Sequence, residues 1–132
     1  MNNKLALIGL PFLVASAIAV QHKANAFTDA HDGKEVTVKV GQPFSITLPT
    51  NPTTGYSLYL LSDGQEPWKL DSRLYKTSPS PKGTVGVGGH ETFKFTATKT
   101  GTSLVAIVAA RPFELKANLR ASQPFTLRVN VK

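Results

Sequence analysis

The cysteine and histidine content of this chain limits the covalent chemistry that it can carry out. The sequence has no cysteine, so thiol catalysis and cysteine-ligated zinc are excluded. His31 stands close to Asp29 and Asp32, and His90 stands beside Glu91, combinations that suit a metal pair or a general base. Catalysis requires an oriented base together with a nucleophile, and no spacing in the chain supplies both. We therefore expect solvated loop histidines, no metal, no cofactor and no enzyme.

The glycine-rich segment GTVGVGG, residues 83–89, has the composition of a phosphate-binding loop. It lacks the lysine of a P-loop and no helical repeat follows it, so this interpretation fails. Two interpretations remain open from the segment alone. It is either the flexible tip of a hairpin or a stretch whose backbone, free of Cβ atoms, pairs with an extended partner chain.

The segment NPTTGY, residues 51–56, combines two hydroxyl groups with a stiff backbone. Pro52 fixes its own φ and biases Asn51 toward extended geometry, while Gly55 permits the positive φ of a tight turn. The hydroxyls of the two threonines either face a partner or cap backbone groups of the turn, and this segment alone favours capping. We expect the aromatic ring that follows Gly55 to pack at the base of the loop.

These segments need a scaffold, and the sequence predicts one made of β-strands. Four stretches alternate apolar and polar residues with the period of two that is typical of half-buried strands. Their apolar residues are Val36, Val38 and Val40; Phe44, Ile46 and Leu48; Phe93, Phe95 and Ala97; and Phe125, Leu127, Val129 and Val131.

Further strands are expected where the alternation is less regular. Ser103–Ala110 is a nearly continuous apolar run, which predicts a central strand covered on both faces. Tyr56–Leu61 predicts another strand, and the region around Trp68 and Tyr75 predicts one or two short ones. About seven to eight short strands, separated by clusters of Gly, Pro, Asn and Ser, predict an all-β fold built as an antiparallel two-sheet sandwich.

Three connections of this sandwich have an unusual composition, namely residues 49–56, 79–90 and 110–124. Alternate connections of a sandwich gather at one end. If these three leave from the same end, they form one continuous surface, and exposed loops on a rigid scaffold are where binding usually takes place.

The first residues indicate export. A short positive start, Met1–Lys4, precedes an apolar run, Leu5–Val20, and small residues for a signal peptidase follow at Ala24 and Ala26. We predict a cleaved signal peptide over residues 1–26 and one domain over residues 27–132, periplasmic or secreted and with no membrane association after cleavage.

The net charge of +7 is spread over single basic residues with no basic run, which argues against nucleic-acid binding. A dispersed positive charge keeps the domain soluble and mildly favours acidic partners. We expect a monomer whose fold depends on core packing alone, since no disulfide can form.

The three loops carry a recognisable set of motifs in order: NPTTGY (Asn51–Tyr56), GVGG (Gly86–Gly89) and RPF (Arg111–Phe113). On an all-β exported domain, this trio resembles the chagasin family of cysteine-protease inhibitors. The resemblance implies an immunoglobulin-like sandwich whose three loops plug the cleft of papain-like proteases, and so a reversible, tight-binding inhibitor.

The resemblance also implies which residues contact the protease. They are Asn51, Pro52, Thr53, Thr54, Gly55 and Tyr56; Gly86, Val87, Gly88 and Gly89; and Arg111, Pro112 and Phe113. Thr53 and Thr54 would lie nearest the catalytic cysteine and histidine. Arg111 would supply a charge and a planar face, and Phe113 an apolar anchor where the family commonly has tryptophan.

One other class of function fits an exported sandwich. An immunoglobulin-like adhesion or assembly module would bind a partner that is not a protease. Such a module needs an exposed pairing edge or a second domain, and the sequence indicates neither. Inhibition of papain separates the two hypotheses.

Overall fold

Two four-stranded sheets make up nearly all of the computed structural model, which describes residues 25–112 and 123–132. The strands of these residues are β1 (Asn25–Thr28), β2 (Lys34–Val38), β3 (Pro43–Thr50), β4 (Ser57–Leu61), β5 (Trp68–Thr77), β6 (Gly89–Ala97), β7 (Gly101–Ala110) and β8 (Phe125–Val131). The first sheet has the order β1-β3-β6-β5 and the second the order β2-β8-β7-β4. In the described part of the chain, no helix is long and apolar enough to cross a membrane.

The predicted β-sandwich is confirmed, although two of its strand pairs are parallel. β1 runs parallel to β3 in the first sheet, and β2 runs parallel to β8 in the second. Both follow from the turn at residues 29–33, which carries the chain from one sheet to the other. Backbone and side-chain bonds fix this crossing: Gly33 N–H donates to Thr126 O (2.8 Å), and Thr126 N–H donates to the Asp32 carboxylate (2.9 Å).

Most of the core consists of apolar residues that the alternation predicts, and Leu58, Trp68, Val105 and Ile107 join them from the other strands. Phe44 and Phe95 stack with ring centroids 4.9 Å apart, and Trp68 meets Phe44 edge-on at 6.2 Å. Thirteen other buried apolar residues form this core with Trp68: Val38, Phe44, Ile46, Leu48, Leu58, Phe93, Phe95, Ala97, Val105, Ile107, Leu127, Val129 and Val131. Burial of these side chains supplies the main stabilising free energy of a fold without crosslinks.

Three local predictions need correction. Val40 is 47% exposed, because β2 ends at Val38 and a turn follows. β7 is central in its sheet, as predicted, but its outer face is only partly covered. On that face Leu104 is 43% exposed, whereas Val108 and Ala110 farther along are buried. The region around Trp68 forms the single ten-residue strand β5, whose pairing register shifts between Leu70 and Ser72.

The predicted signal peptide lies almost wholly outside the described residues and stays a prediction. β1 begins at Asn25, which pairs with Phe44, and Ala26 pairs with Ser45. Cleavage after Ala26 would therefore leave two of the four paired residues of β1. Phe27, the first residue after the predicted cleavage site, packs against the core.

The sandwich has two different ends. The connections at residues 39–42, 62–67 and 98–100 lie at one end, called here the turn end. The connections at residues 29–33, 51–56, 78–88 and 111–124 leave from the other, called the loop end.

Candidate functional site

The three predicted loops leave the scaffold side by side. In the first sheet, Gly89 pairs with both Thr50 and Thr77, so the loops after β3 and before β6 start level with each other. In the second sheet, Ser57 pairs with Ala110, which brings the end of the first loop next to the start of the third. The predicted gathering of the three loops at one end is therefore observed.

The first loop is a capped helical turn. Pro52–Thr54 form one turn of 3-10 helix, and the Asn51 side chain accepts a hydrogen bond from Thr53 N–H (3.2 Å) at its start. Gly55 ends the turn in the left-handed region with φ of +86° and donates to Pro52 O at 3.0 Å. Pro52 and Gly55 thus have the backbone roles that the sequence predicts, because proline suits the first helical position and glycine the left-handed cap.

The two threonine hydroxyls donate within this loop. Thr53 Oγ1 lies 2.6 Å from Asn51 Oδ1, and Thr54 Oγ1 lies 2.7 Å from Asn51 O. Thr54 thus caps a backbone carbonyl of the turn, as the segment alone predicts, whereas Thr53 bonds to the side chain that caps the turn. Contact of the two hydroxyls with a partner stays a prediction. Each hydroxyl oxygen also has lone pairs that accept hydrogen bonds. Thr53 and Thr54 are both exposed, so they present acceptor atoms on a turn that their donors hold rigid.

Asn51 joins the first loop to the second. Its Oδ1 atom caps the 3-10 turn, and its Nδ2 atom donates to Gly86 O at 3.0 Å. Gly86 has φ of +72°, a conformation that favours glycine. One amide side chain therefore fixes two loops that lie 35 residues apart in sequence.

The glycines of the second loop differ in the space that is available for a side chain. A Cβ atom on Gly89 would lie 2.0 Å from Lys76 O, and one on Gly88 would lie 3.1 Å from Thr50 O. Both therefore serve the packing of the domain itself, and Gly89 is the buried first residue of β6. A Cβ on Gly86 would meet nothing within 4 Å, and Val87 and Gly88 are both half-buried. The backbone from Gly86 to Gly88 is therefore the part of this motif that a partner can reach.

Val85 is a candidate contact that sequence reasoning missed. It is 89% exposed, more than any other large apolar side chain of the described residues. Its signal in the sequence is a branched apolar residue that interrupts a glycine-rich loop and belongs to no alternating strand pattern. Val85 immediately precedes Gly86 in the second loop, where contact with a partner would remove its apolar surface from water.

The third loop contacts the first through a cation–π interaction. The guanidinium carbon of Arg111 lies 4.6 Å from the centroid of the Tyr56 ring. Tyr56 is half-buried, in line with its predicted position at the base of the loop. Pro112 is exposed, and Phe113 lies outside the described residues, so its role as an apolar anchor stays a prediction.

His31 and His90 lie apart from each other, one in a short turn and the other on a strand. His31 Nδ1 accepts a hydrogen bond from Thr28 N–H (3.1 Å), and its ring meets Phe27 edge-on at 5.2 Å. His90 is exposed on β6, where it pairs with Pro49 and Lys76. Within residues 25–112 and 123–132, no three His, Asp or Glu side chains come together as metal ligands would.

Comparison with known proteins identifies the family. Residues 37–129 match the family described as chagasin family peptidase inhibitor I42. The chain belongs to this family. The resemblance that the three motifs indicate is therefore confirmed, and the protein is a peptidase inhibitor rather than an enzyme.

Two relatives and one solved structure illustrate the similarity. Amoebiasin-1 of Entamoeba histolytica is 32% identical over 114 residues, which span 81% of this chain and 99% of that protein. Chagasin of Trypanosoma cruzi is 33% identical over 91 residues, 65% of this chain and 80% of that protein. A crystallised cysteine protease inhibitor of Entamoeba histolytica shares the fold with a TM-score of 0.70 at 23% identity, covering 83% of this chain and 96% of that one. The predicted immunoglobulin-like sandwich is thereby confirmed.

Proposed function

We propose that this chagasin-family protein inhibits papain-like cysteine proteases reversibly by placing its loop end in the active-site cleft. One observation carries the proposal. Asn51 ties the first loop to the second and the Tyr56–Arg111 stack ties the first to the third, so three loops act as a single body. A body that is already in its bound shape loses little conformational entropy when it docks.

The first loop explains how the protein can enter the cleft without being cleaved. Nucleophilic attack requires a peptide carbonyl held in a near-attack geometry. In the 3-10 turn, Asn51 O accepts from Thr54 N–H (3.1 Å) and Pro52 O accepts from Gly55 N–H (3.0 Å). These carbonyls are thus held by the turn, and the loop fills the site as a poor substrate.

The second and third loops, next to the first, supply further affinity. The backbone near Gly86 and Val87 pairs with an extended segment of the protease, the mode known as β-augmentation. Arg111, Pro112 and Phe113 give a charged, planar and apolar contact, and Arg and aromatic residues are frequent among interface hot spots. Contacts of Thr53 and Thr54 near the catalytic residues complete the interface.

We further propose that the protein acts outside the cytosol as a monomer. The apolar run Leu5–Val20 and the small residues at Ala24 and Ala26 support removal of a signal peptide. The intact mass of the protein recovered from the periplasm or medium tests this part. A mass that retains the apolar run would contradict it.

Inhibition kinetics test the main proposal. The purified protein should inhibit papain competitively with substrate and leave the serine protease trypsin fully active, and activity should return on dilution. Absence of papain inhibition at micromolar protein would instead favour the adhesion or assembly module.

A further inference from the structure

A single side chain links the two sheets beneath the loops. β4 and β5 are edge strands of different sheets, so no backbone ladder joins them. Arg73 on β5 crosses this gap: its Nη2 atom donates to Leu58 O of β4 at 2.8 Å. Its Nε atom donates to the Glu91 carboxylate of β6 at 2.7 Å, and its guanidinium carbon lies 4.6 Å over the Phe93 ring.

The three contacts fix the guanidinium in position and orientation. The ring of Phe93 sets its plane, and two donors on that plane point to different strands. The Glu91 side chain is only 14% exposed, so water competes weakly for this bond. A planar fork of donors suits such a bridge, whereas a lysine ammonium carries no plane and reaches less far.

The bridge lies directly below the inhibitory loops. Leu58 follows Tyr56 by two residues, and Glu91 follows Gly89 by two residues. Arg73 thus holds the strand that leaves the first loop against the strand that leaves the second. The first loop runs from β3 of the first sheet to β4 of the second, so its 3-10 turn depends on how the two sheets are placed relative to each other. The same placement sets the position of the second loop, which leads into β6, relative to the third, which leaves β7.

We infer that Arg73 is a positioning residue of the inhibitory surface. This inference rests on the proposed function. When the bridge is absent, the sheets shift against each other at this edge, and the loops are aligned in a smaller fraction of molecules. The inhibition constant rises by the inverse of that fraction, because only the aligned form binds.

The variant Arg73→Lys tests the inference, with Lys69→Met as its matched control. Lys69 lies on the same strand, at its other end, and makes an exposed ion pair with Asp71 (3.8 Å). Well below the melting temperature, Arg73→Lys should raise the inhibition constant for papain roughly 10-fold, as expected for loss of a hydrogen bond from a charged group. Lys69→Met should change it by less than about two-fold, since exposed ion pairs contribute little.

A second measurement follows the conformation of the loops in the absence of a protease. In NMR spectra, the backbone amide protons of Thr54 and Gly55, which donate to Asn51 O and Pro52 O, report the turn that connects the two sheets. Arg73→Lys should move these signals toward the positions of amide protons that donate no hydrogen bond within the protein. Unmoved signals together with an unchanged inhibition constant, even with a lower melting temperature, would overturn the inference and leave Arg73 a stabilising residue only.

Two further outcomes remain decisive. If the unaltered protein does not inhibit papain, the proposed function fails, and the NMR signals alone decide the role of Arg73. If Arg73→Lys does not fold, Glu91→Gln takes its place, since it keeps the bond to Leu58 O but weakens the charged one. Its inhibition constant should rise about 3-fold, in line with a weakened hydrogen bond. No rise and no movement of the NMR signals would overturn the inference.

Discussion

Main-chain hydrogen bonds close one end of the sandwich, whereas side chains hold the loops together at the other. At the turn end, Gly41 N–H donates to Ala97 O (2.8 Å), Ala97 N–H to Gln42 O (3.1 Å) and Thr98 N–H to Pro67 O (2.8 Å). At the loop end, the Asn51 amide and the Tyr56–Arg111 stack connect the three loops. Backbone bonds survive most changes of side chain. The loop end is therefore the part of this fold where single substitutions should alter function most.

The two ends of the sandwich also differ in what they contribute to folding and to binding. Most of the core lies between the sheets, and the turn end anchors their strands to it. The loop end adds few buried contacts, but its shape decides what the protein can bind. Paired substitutions of the same chemistry, one at each end, should therefore separate binding from folding.

The largest contrast is expected between two glycines with positive φ. Gly55 at the loop end has φ of +86°, and Gly64 at the turn end has φ of +82°. Valine rarely adopts this conformation, which costs on the order of 1–3 kcal/mol. Gly55→Val should raise the inhibition constant for papain roughly 5- to 150-fold, and Gly64→Val should lower the melting temperature and leave inhibition unchanged. Equal inhibition constants for the two variants would contradict the claim that the loop end, and not the turn end, determines inhibition.

A smaller contrast is expected between two side-chain amides. Asn51→Asp keeps the oxygen that caps the turn but replaces the donor to Gly86 O with a carboxylate, which repels that carbonyl. The inhibition constant should rise roughly 10-fold or less. At the turn end, Gln42 Oε1 accepts from Lys39 N–H (3.0 Å), and Gln42→Glu keeps this acceptor. Papain titrations of both variants should show an effect for Asn51→Asp alone.

The threonine hydroxyls should have a still smaller effect. Thr53→Ala and Thr54→Ala each remove one hydrogen bond within the first loop, worth about 1 kcal/mol or roughly 5-fold in inhibition. Thr102→Ala removes a comparable bond to Asn130 (2.7 Å) on the second sheet, far from the loops. It should alter only the melting temperature. If Thr102→Ala raises the inhibition constant as much as the loop variants do, a general loss of stability explains all three effects.

The smallest expected effect concerns acid stability at the turn end. Burial raises the pKa of Glu66, but hydrogen bonds from Asp63 N–H and the Ser62 hydroxyl outweigh it and hold that pKa below its ordinary value. A lowered pKa contributes stability above the unfolded value, and this contribution is lost as the pH falls through the folded value. Thermal melts should show Glu66→Gln less stable than the unaltered protein at pH 6, with the difference shrinking below about pH 4. Inhibition at pH 6 should not change.

The sequence by itself determined the scaffold and the backbone of the first loop. The alternation at Phe44, Ile46 and Leu48 predicts their burial, because a period of two places every second side chain on one face of a strand. Pro52 fixes its own φ through its ring, and Gly55, which has no Cβ atom, permits the positive φ of the turn. The order of the three motifs identified the family because each motif is continuous in the chain.

Only the tertiary structure decided how these parts work together. The Asn51–Gly86 bond spans 35 residues, and no local pattern shows that the two will meet. Gly89 reads as a flexible residue in the sequence, yet it is required because Lys76 O lies where its Cβ would be. Arg73 reads as an ordinary strand charge, but it bridges Leu58 and Glu91. Such contacts arise between distant segments, and their positions follow from the packing of two whole sheets rather than from the residues nearby in the chain.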